Sequence, residues 1–137
     1  MGMAITLVVN PGSSSKKFAL YNENVLVLNS YIEKSEDGFE MCVSVSGVQQ
    51  HCELLGRNEF HESLGRFVDN AVERKIITDF SEVSCVAVRV VAPGTFFQSH
   101  HEITDEYVKH LKAQESFAPL HIPHILSEIK TIKKLLP

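Results

Sequence analysis

The chain has 137 residues, of which 44% are hydrophobic and 22% charged, a size and composition typical of one globular domain with an ordinary apolar core. Its formal net charge is −4, and without a surplus of basic residues it is a poor candidate for binding nucleic acid. We find no apolar run long enough to span a membrane and no signal peptide, so we expect a cytoplasmic protein without a membrane partner.

The first informative stretch, residues 10–18, lies between two predicted strands. Residues 5–9 form an apolar run rich in β-branched side chains, and residues 18–21 begin a second strand. A turn at Pro11 and Gly12 places the three following serine hydroxyls and free backbone N–H groups at one end of this unit. Such a group of donors beside a lysine can bind phosphate oxygens.

This stretch has two alternative interpretations. A P-loop needs a second glycine directly before its lysine and a helix after it, whereas this stretch has only Gly12 and is followed by a strand-like segment. A serine-rich hairpin turn without a ligand explains the residue types equally well, because Ser, Pro and Gly are common in turns.

The chain continues with further strand signals. Residues 25–32 predict a third strand that completes an antiparallel meander, and residues 41–47 and 48–54 predict a hairpin that turns near Gly47.

The three cysteines are an odd number and lack the spacing of a metal site. Cys85 lies in an apolar run and is predicted to be a small core residue. His51 and Cys52 are adjacent, so on a strand they face opposite sides and do not share a metal.

Three helices are predicted, each with a start signal. Residues 60–72 have an apolar stripe at helical spacing, with Asn58 as the expected cap. Thr104 is predicted to cap the next helix. Pro123 suits the first turn of a third helix, which runs to about Leu136.

Residues 83–91 are almost continuously apolar, which predicts a central strand covered on both faces. Arg89 stands out, because a charge cannot be left unpaired in a core. Either Arg89 pairs with a structural carboxylate, or it emerges at the end of the strand into a cleft, where it can bind a carboxylate or phosphate. Spacing alone leaves both alternatives open.

His121 comes just before the third helix, where backbone N–H groups and the helix dipole favour an anion. The alternative is an exposed loop histidine without a function. His121 and His124, with His100 and His101, also permit a weaker hypothesis of a metal-binding module.

Three motifs, in this order, resemble signatures of the acetate kinase family. They are Asn-x-Gly-Ser-Ser-Ser-x-Lys-Phe at residues 10–18, Arg-Val-Val at residues 89–91 and Ala-Pro-Leu-His at residues 118–121. The chain departs from the family at Ala92 and Pro93, which replace a His-Gly pair, and at Ile122, which replaces an asparagine.

The resemblance implies a ribonuclease H-like α/β fold, with an antiparallel meander that feeds a mixed sheet containing a parallel strand, and helices packed against it. The family belongs to the superfamily of acetate and sugar kinases, heat-shock chaperones and actin. Its members are longer and have two domains. We therefore expect residues 1–137 to be the N-terminal domain, with the C-terminal domain absent and a sheet edge exposed after Pro137.

The resemblance also implies an activity, the transfer of a phosphoryl group from ATP, with Mg²⁺, to a short-chain carboxylate. The sequence does not distinguish acetate from propionate or butyrate. The residues that the resemblance implies in catalysis are Arg89 and His121. Those implied in binding ATP are Asn10, Ser13, Ser15 and Lys17, and Asn10 is also the implied metal ligand. Those implied in the substrate pocket are Arg89, Val91 and Leu120.

In the family, the catalytic acid, the second phosphate loop and the adenosine pocket belong to the half that is missing here. We therefore predict that the chain alone has no measurable turnover and that it needs a C-terminal half or self-association. A non-catalytic hypothesis stays open, in which a truncated, split or decayed domain serves as a binding or interaction module. Ala92 and Pro93 favour decay, whereas the serine loop and Arg89 favour retained function.

Overall fold

The computed structural model describes residues 4–93 and 95–135. Five strands form an antiparallel meander, and a sixth pairs in parallel with the first, giving the order β5-β4-β3-β2-β1-β6. Their bounds are β1 Ile5–Asn10, β2 Ser15–Asn22, β3 Val25–Ser35, β4 Gly38–Val45, β5 Val48–Leu55 and β6 Val83–Val88. The antiparallel meander with one added parallel strand is the sheet that the sequence predicts.

The β4–β5 hairpin is present and brings two cysteines together. Cys42 lies directly opposite Cys52, and the two are joined in a disulfide with an S–S distance of 2.08 Å. Sequence spacing did not indicate this pair, because its members meet only through the register of the hairpin. His51 lies opposite Val43 and so faces away from Cys52, as predicted.

Strand β6 differs from its prediction. It ends at Val88 and lies at the edge of the sheet, so it is not a central strand covered on both faces. Val86 and Val88 pack against the core, whereas Cys85 is exposed. The prediction of a buried Cys85 is therefore wrong, because the face of β6 that carries it is open to solvent.

The helices are α1 Arg57–His61, α2 Ser63–Glu73, α3 Asp105–Ala113 and α4 Ile122–Leu135, with 3₁₀ turns at Phe80–Glu82, Thr95–Gln98 and Glu115–Phe117. The segment predicted as one helix over residues 60–72 is divided into α1 and α2.

The helix starts are partly as predicted. Gly56, not Asn58, is the cap of α1, and its N–H donates to the carboxylate of Glu59 over 3.0 Å. Asn58 lies inside the first turn. The Thr104 hydroxyl accepts a hydrogen bond from the N–H of Tyr107, which confirms the predicted cap of α3. Helix α4 begins within a residue of Pro123, and Leu136 lies outside the described residues.

The buried side chains of the described residues form two clusters. The larger one lies between α2 and the sheet face that carries Phe18 and Leu20, which we call the inner face. The smaller one lies between α3 and α4 and includes Tyr107 and Leu111. Helix α4 contributes to both clusters, because Ile132 belongs to the first and other residues of the helix to the second. The opposite face of the sheet, the outer face, carries polar and exposed side chains.

Within the described ranges, none of the helices combines the length and the apolar character that crossing a bilayer requires.

Candidate active site

Residues 11–14, with Ser15, form what we call the serine turn, which joins β1 to β2 at one end of the sheet. Asn10 is the last residue of β1, and Ser15 is the first residue of β2. A Cβ atom at Gly12 would lie 2.5 Å from the carbonyl oxygen of Ser15, so only glycine fits this close approach of the backbone. Ser13 and Ser14 are exposed at the tip, and the Ser14 carbonyl accepts a hydrogen bond of 2.9 Å from the N–H of Lys34.

Strand register places part of the predicted site in one row on the outer face. Asn10 lies opposite Lys17 across β1 and β2, and Lys17 lies opposite Tyr31 across β2 and β3. Directly opposed residues share a face of the sheet, and Ser15, two residues before Lys17, shares it too. Asn10 and Ser15 are half-buried and Lys17 is exposed, so these polar groups are open to a ligand.

Tyr31 and Glu33 form the border of this row. The ammonium of Lys17 lies 5.2 Å from the centre of the Tyr31 ring, within the range of a cation–π contact. The Tyr31 hydroxyl donates to Glu33 over 3.1 Å. This hydrogen bond, followed by the charge of the carboxylate, raises the pKa of Tyr31.

Arg89 extends the same face on the other side of β1. It follows the end of β6, and its backbone N–H donates to the carbonyl of Val9 over 2.9 Å, which continues the parallel pairing. Because Ala87 lies opposite Val8 on the outer face, strand alternation places Arg89 there as well. Arg89 is exposed, and no carboxylate of the described residues forms an ion pair with it. Of the two open alternatives, the structure favours emergence at the end of the strand.

A buried ion pair lies on the inner face beside the serine turn. Lys16 and Glu128 are 4% and 2% exposed, and the Lys16 ammonium lies 2.8 Å from the Glu128 carboxylate. The ammonium also donates to the Phe60 carbonyl over 3.1 Å and lies 4.7 Å from the centre of that ring. The pair therefore connects the residue next to Ser15 with α4 and α1.

Sequence reasoning missed this pair, although a signal was present. Lys16 has the same strand parity as Phe18 and Leu20, both of which are buried. A lysine on the core side of a strand requires a partner, and Glu128 lies on the buried side of α4.

His121 stands immediately before α4 and is exposed. Its N–H donates to the Ala118 carbonyl, and its own carbonyl accepts from the N–H of Ile125, each over 3.2 Å. Burial, followed by the positive charges of His61, Lys16 and His121, lowers the pKa of nearby His124. These charges, with the Lys16–Glu128 ion pair, place the start of α4 on the inner-face side of the sheet, and among the described residues no contact joins His121 to the outer-face row.

Among the described residues, the side chains predicted to bind an acyl group do not form a closed pocket. Val91 and Leu120 are 59% and 72% exposed. A groove of about 870 Å³ runs along the edge of β6 and is lined mainly by apolar side chains, including Val88, Phe97 and Tyr107, with Arg89 at its border.

The geometry does not support the hypothesis of a metal-binding module built from His100, His101, His121 and His124. Among the described residues, no group of three potential metal ligands includes a histidine. His101 instead stacks on Phe96 at 4.2 Å between ring centres and hydrogen-bonds the Phe96 carbonyl over 2.6 Å.

Comparison with known proteins supports one family. Residues 5–137 match the model of the acetokinase family. Acetate kinases of Fructilactobacillus sanfranciscensis and Enterococcus faecalis are 33% and 32% identical to the chain, and each match covers 98% of the chain but 35% of the relative.

Solved structures agree with these sequence matches. A propionate kinase from Francisella tularensis superposes with a TM-score of 0.82 and the acetate kinase of Porphyromonas gingivalis with 0.84, both at 25% identity. Each match covers 98% of this chain and 35% of the solved one. These likenesses confirm the predicted ribonuclease H-like fold. The chain therefore belongs to the acetokinase family and spans about a third of the length of the relatives that it matches.

Proposed function

We propose that the chain is the N-terminal part of a kinase that transfers the γ-phosphoryl group of ATP to acetate or a similar short carboxylate, giving ADP and an acyl phosphate. The observation that carries this proposal is the shared outer face of Asn10, Ser15, Lys17 and Arg89 at one end of the sheet. In a protein of net charge −4, Lys17 and Arg89 form no ion pair within the described residues, and two such cations beside a hydroxyl-rich turn are a local anion site. ATP is abundant in the cytoplasm, which is where we place the reaction.

The phosphates of ATP bind at the serine turn in this proposal. The hydroxyls of Ser13 and Ser15 and the ammonium of Lys17 donate to phosphate oxygens. Lys17 is exposed, and within the part of the chain that the structure describes it contacts the Tyr31 ring alone, so it can turn to the phosphates at little desolvation cost.

The turn also suits Mg²⁺. The Asn10 amide oxygen and the serine hydroxyls are hard oxygen ligands, and Mg²⁺ keeps several waters and phosphate oxygens beside such groups. Asn10 and the phosphates would hold the ion, which would neutralise phosphate charge during transfer.

Arg89 and His121 act on the transferring group. The guanidinium of Arg89 binds the carboxylate in a bidentate manner and then the phosphoryl oxygens. The family motif at residues 118–121 supports a role for His121, which would add positive charge where the phosphoryl group passes. Catalysis by such groups is positioning and charge neutralisation, with no covalent nucleophile.

The exposure of Val91 and Leu120 supports the view that another part of the protein completes the substrate pocket. The outer edge of β6 pairs with no other strand of residues 4–93 and 95–135. This edge and the apolar groove beside it support the same view, because an open parallel edge is a site for strand addition. We propose that a C-terminal half covers this edge, with self-association as the alternative. The choice between acetate, propionate and butyrate depends on the part of the substrate pocket that this C-terminal half would supply.

A non-catalytic role is the second candidate, and the segment after β6 favours it. Pro93 provides no N–H where the family has Gly, and Ala92 packs into the second cluster. On this hypothesis the chain binds phosphate-containing ligands or a partner without turnover.

Reconstitution tests the kinase proposal. We expect no acyl phosphate from the 137-residue chain alone, and turnover when it is mixed with the C-terminal segment of the Enterococcus faecalis relative that lies beyond the matched region. Lys17→Ala and Arg89→Ala should remove that turnover, whereas Lys130→Ala, an exposed residue of α4, should leave it unchanged. Robust turnover by the chain alone would contradict the proposal that it is incomplete.

Binding tests the site separately from catalysis. Titration of the chain with ATP and Mg²⁺, followed by amide NMR, should shift the signals of residues 10–17, and Lys17→Ala should abolish these shifts. Binding without turnover in a mixture whose halves associate would favour the non-catalytic role. Absence of any shift in the serine turn would contradict the kinase proposal and also phosphate binding by a non-catalytic chain.

A further inference from the structure

The outer face carries a second group of potential ligands, on the β4–β5 hairpin. Cys42 and Cys52 lie directly opposite each other, and Glu40 lies two residues before Cys42 on the same side of β4. The two sulfurs and a Glu40 carboxylate oxygen all lie within 4.8 Å of one another, and the Cys42 sulfur is 3.7 Å from Glu40 Oε1. Glu40 and Cys52 are exposed and Cys42 is half-buried, so the group is accessible from solvent.

This group has two chemical states. In the disulfide, the sulfurs are bonded to each other and do not provide thiolates. Two equivalents of a small thiol reductant convert the disulfide to two cysteine thiols and are themselves oxidised to one disulfide, so electrons and hydrogens balance. The two thiols then provide a pair of soft ligands on rigid, paired strands.

We propose that the reduced Cys42–Cys52 pair, with Glu40, is a binding site for a thiophilic divalent cation such as Zn²⁺, and that oxidation to the disulfide closes it. Two thiolates and one carboxylate are three of the four ligands of a tetrahedral zinc site, and water completes the set. Binding displaces the two thiol protons to solvent.

The surroundings determine the ligand set. His51, the residue next to Cys52, faces the other side and lies 3.4 Å from Arg74 through its Nδ1 atom, so it is not a fourth ligand. Tyr31 lies opposite Cys42 on β3, and its hydroxyl is engaged by Glu33. The sulfur ligands select a soft cation over Mg²⁺, so the site is distinct from the serine turn and does not depend on the kinase proposal.

Cobalt provides a direct test. We expect the reduced chain to take up one equivalent of Co²⁺, seen as thiolate-to-cobalt charge-transfer absorption, and Zn²⁺ to displace it. Cys42→Ser should abolish the absorption, Glu40→Gln should weaken binding without abolishing it, and the disulfide form should show none. Cys85→Ser is the matched control, since Cys85 is exposed on the same face but distant from the hairpin, and it should bind as the unaltered chain does.

Any one of three results would overturn the proposal. They are absence of charge-transfer absorption in the reduced chain, equal binding by the disulfide form, and loss of binding in Cys85→Ser. All three cysteines can be tested without risk to the core, because none is fully buried. Amide NMR spectra of the variants should confirm that the β4–β5 hairpin is retained.

Discussion

Two adjacent lysines show how differently the two faces of the sheet are built. Lys16 points to the inner face, where it is 4% exposed and paired with Glu128. Lys17 points to the outer face, where it is exposed and contacts only the ring of Tyr31 within the described residues. One covalent bond in the backbone thus separates a charge that is fixed in the core from a charge that is available to a ligand.

The contrast has an energetic reason. A buried ammonium loses its hydration, so it must keep its partner in every state of the folded protein. An exposed ammonium keeps most of its hydration and can exchange a weak contact for a phosphate. The inner face therefore stabilises the fold, and the outer face is where binding can occur without a loss of stability.

The largest difference between the faces should appear on truncation of an apolar side chain. Phe67 is fully buried and its ring centre lies 5.5 Å from that of Phe18, so Phe67→Ala should lower the free energy of unfolding by about 4 kcal/mol. Leu54, which is 58% exposed on the outer face, is the matched control, and Leu54→Ala should change it by less than about 0.5 kcal/mol. Urea unfolding followed by circular dichroism measures both, and equal losses would contradict the contrast.

A somewhat smaller effect should follow from breaking the buried ion pair. Glu128→Gln leaves the Lys16 charge uncompensated and should cost about 3 kcal/mol of unfolding free energy. The double variant Lys16→Met with Glu128→Leu should recover most of this loss, because apolar residues of similar volume can replace a buried pair.

Lys17→Met is the control for this experiment, because it removes a charge from the outer face and should leave stability nearly unchanged. A double variant that is less stable than Glu128→Gln would show that the pair is favourable in itself, against this prediction.

The smallest effect concerns pH and His124. Burial, followed by the charges of His61, Lys16 and His121, lowers its pKa below the ordinary 6.5. The unfolded chain therefore takes up a proton at higher pH than the folded chain does, so this contribution to stability is complete above 6.5 and is lost as the pH falls through the folded-state pKa.

Urea unfolding at two pH values checks this sign. We expect the urea concentration at the unfolding midpoint to decrease when the pH is lowered from about 7.5 to about 5, and His124→Gln to reduce that decrease. His100→Gln, at an exposed position, is the control and should not alter the pH dependence. An unchanged fall in His124→Gln would exclude His124 as its source.

Local patterns were sufficient for much of the fold and for the identification of the family. Short apolar or alternating runs bounded by turn residues predicted the meander and the β4–β5 hairpin, and the Thr104 cap and the Pro123 start marked α3 and α4 as the structure has them. These features depend on neighbours in the chain, whose geometry the backbone fixes within a few residues. The three motifs at residues 10–18, 89–91 and 118–121 likewise identified the family to which the chain belongs.

Features that depend on distant residues were missed or misjudged. The apolar run of β6 has the composition of a central strand, yet β6 lies at the edge of the sheet, because what covers a strand is set by elements far along the chain. The same holds for Cys42 and Cys52, which are ten residues apart in the sequence. It also holds for Lys16 and Glu128, which lie near opposite ends of the chain. The sequence determines which side chains are present and, through strand alternation, which of them share a face of the sheet. Burial and pairing arise from packing between separate elements. Only this packing determines that the charge of Lys16 is paired in the core and that the charge of Lys17 is exposed.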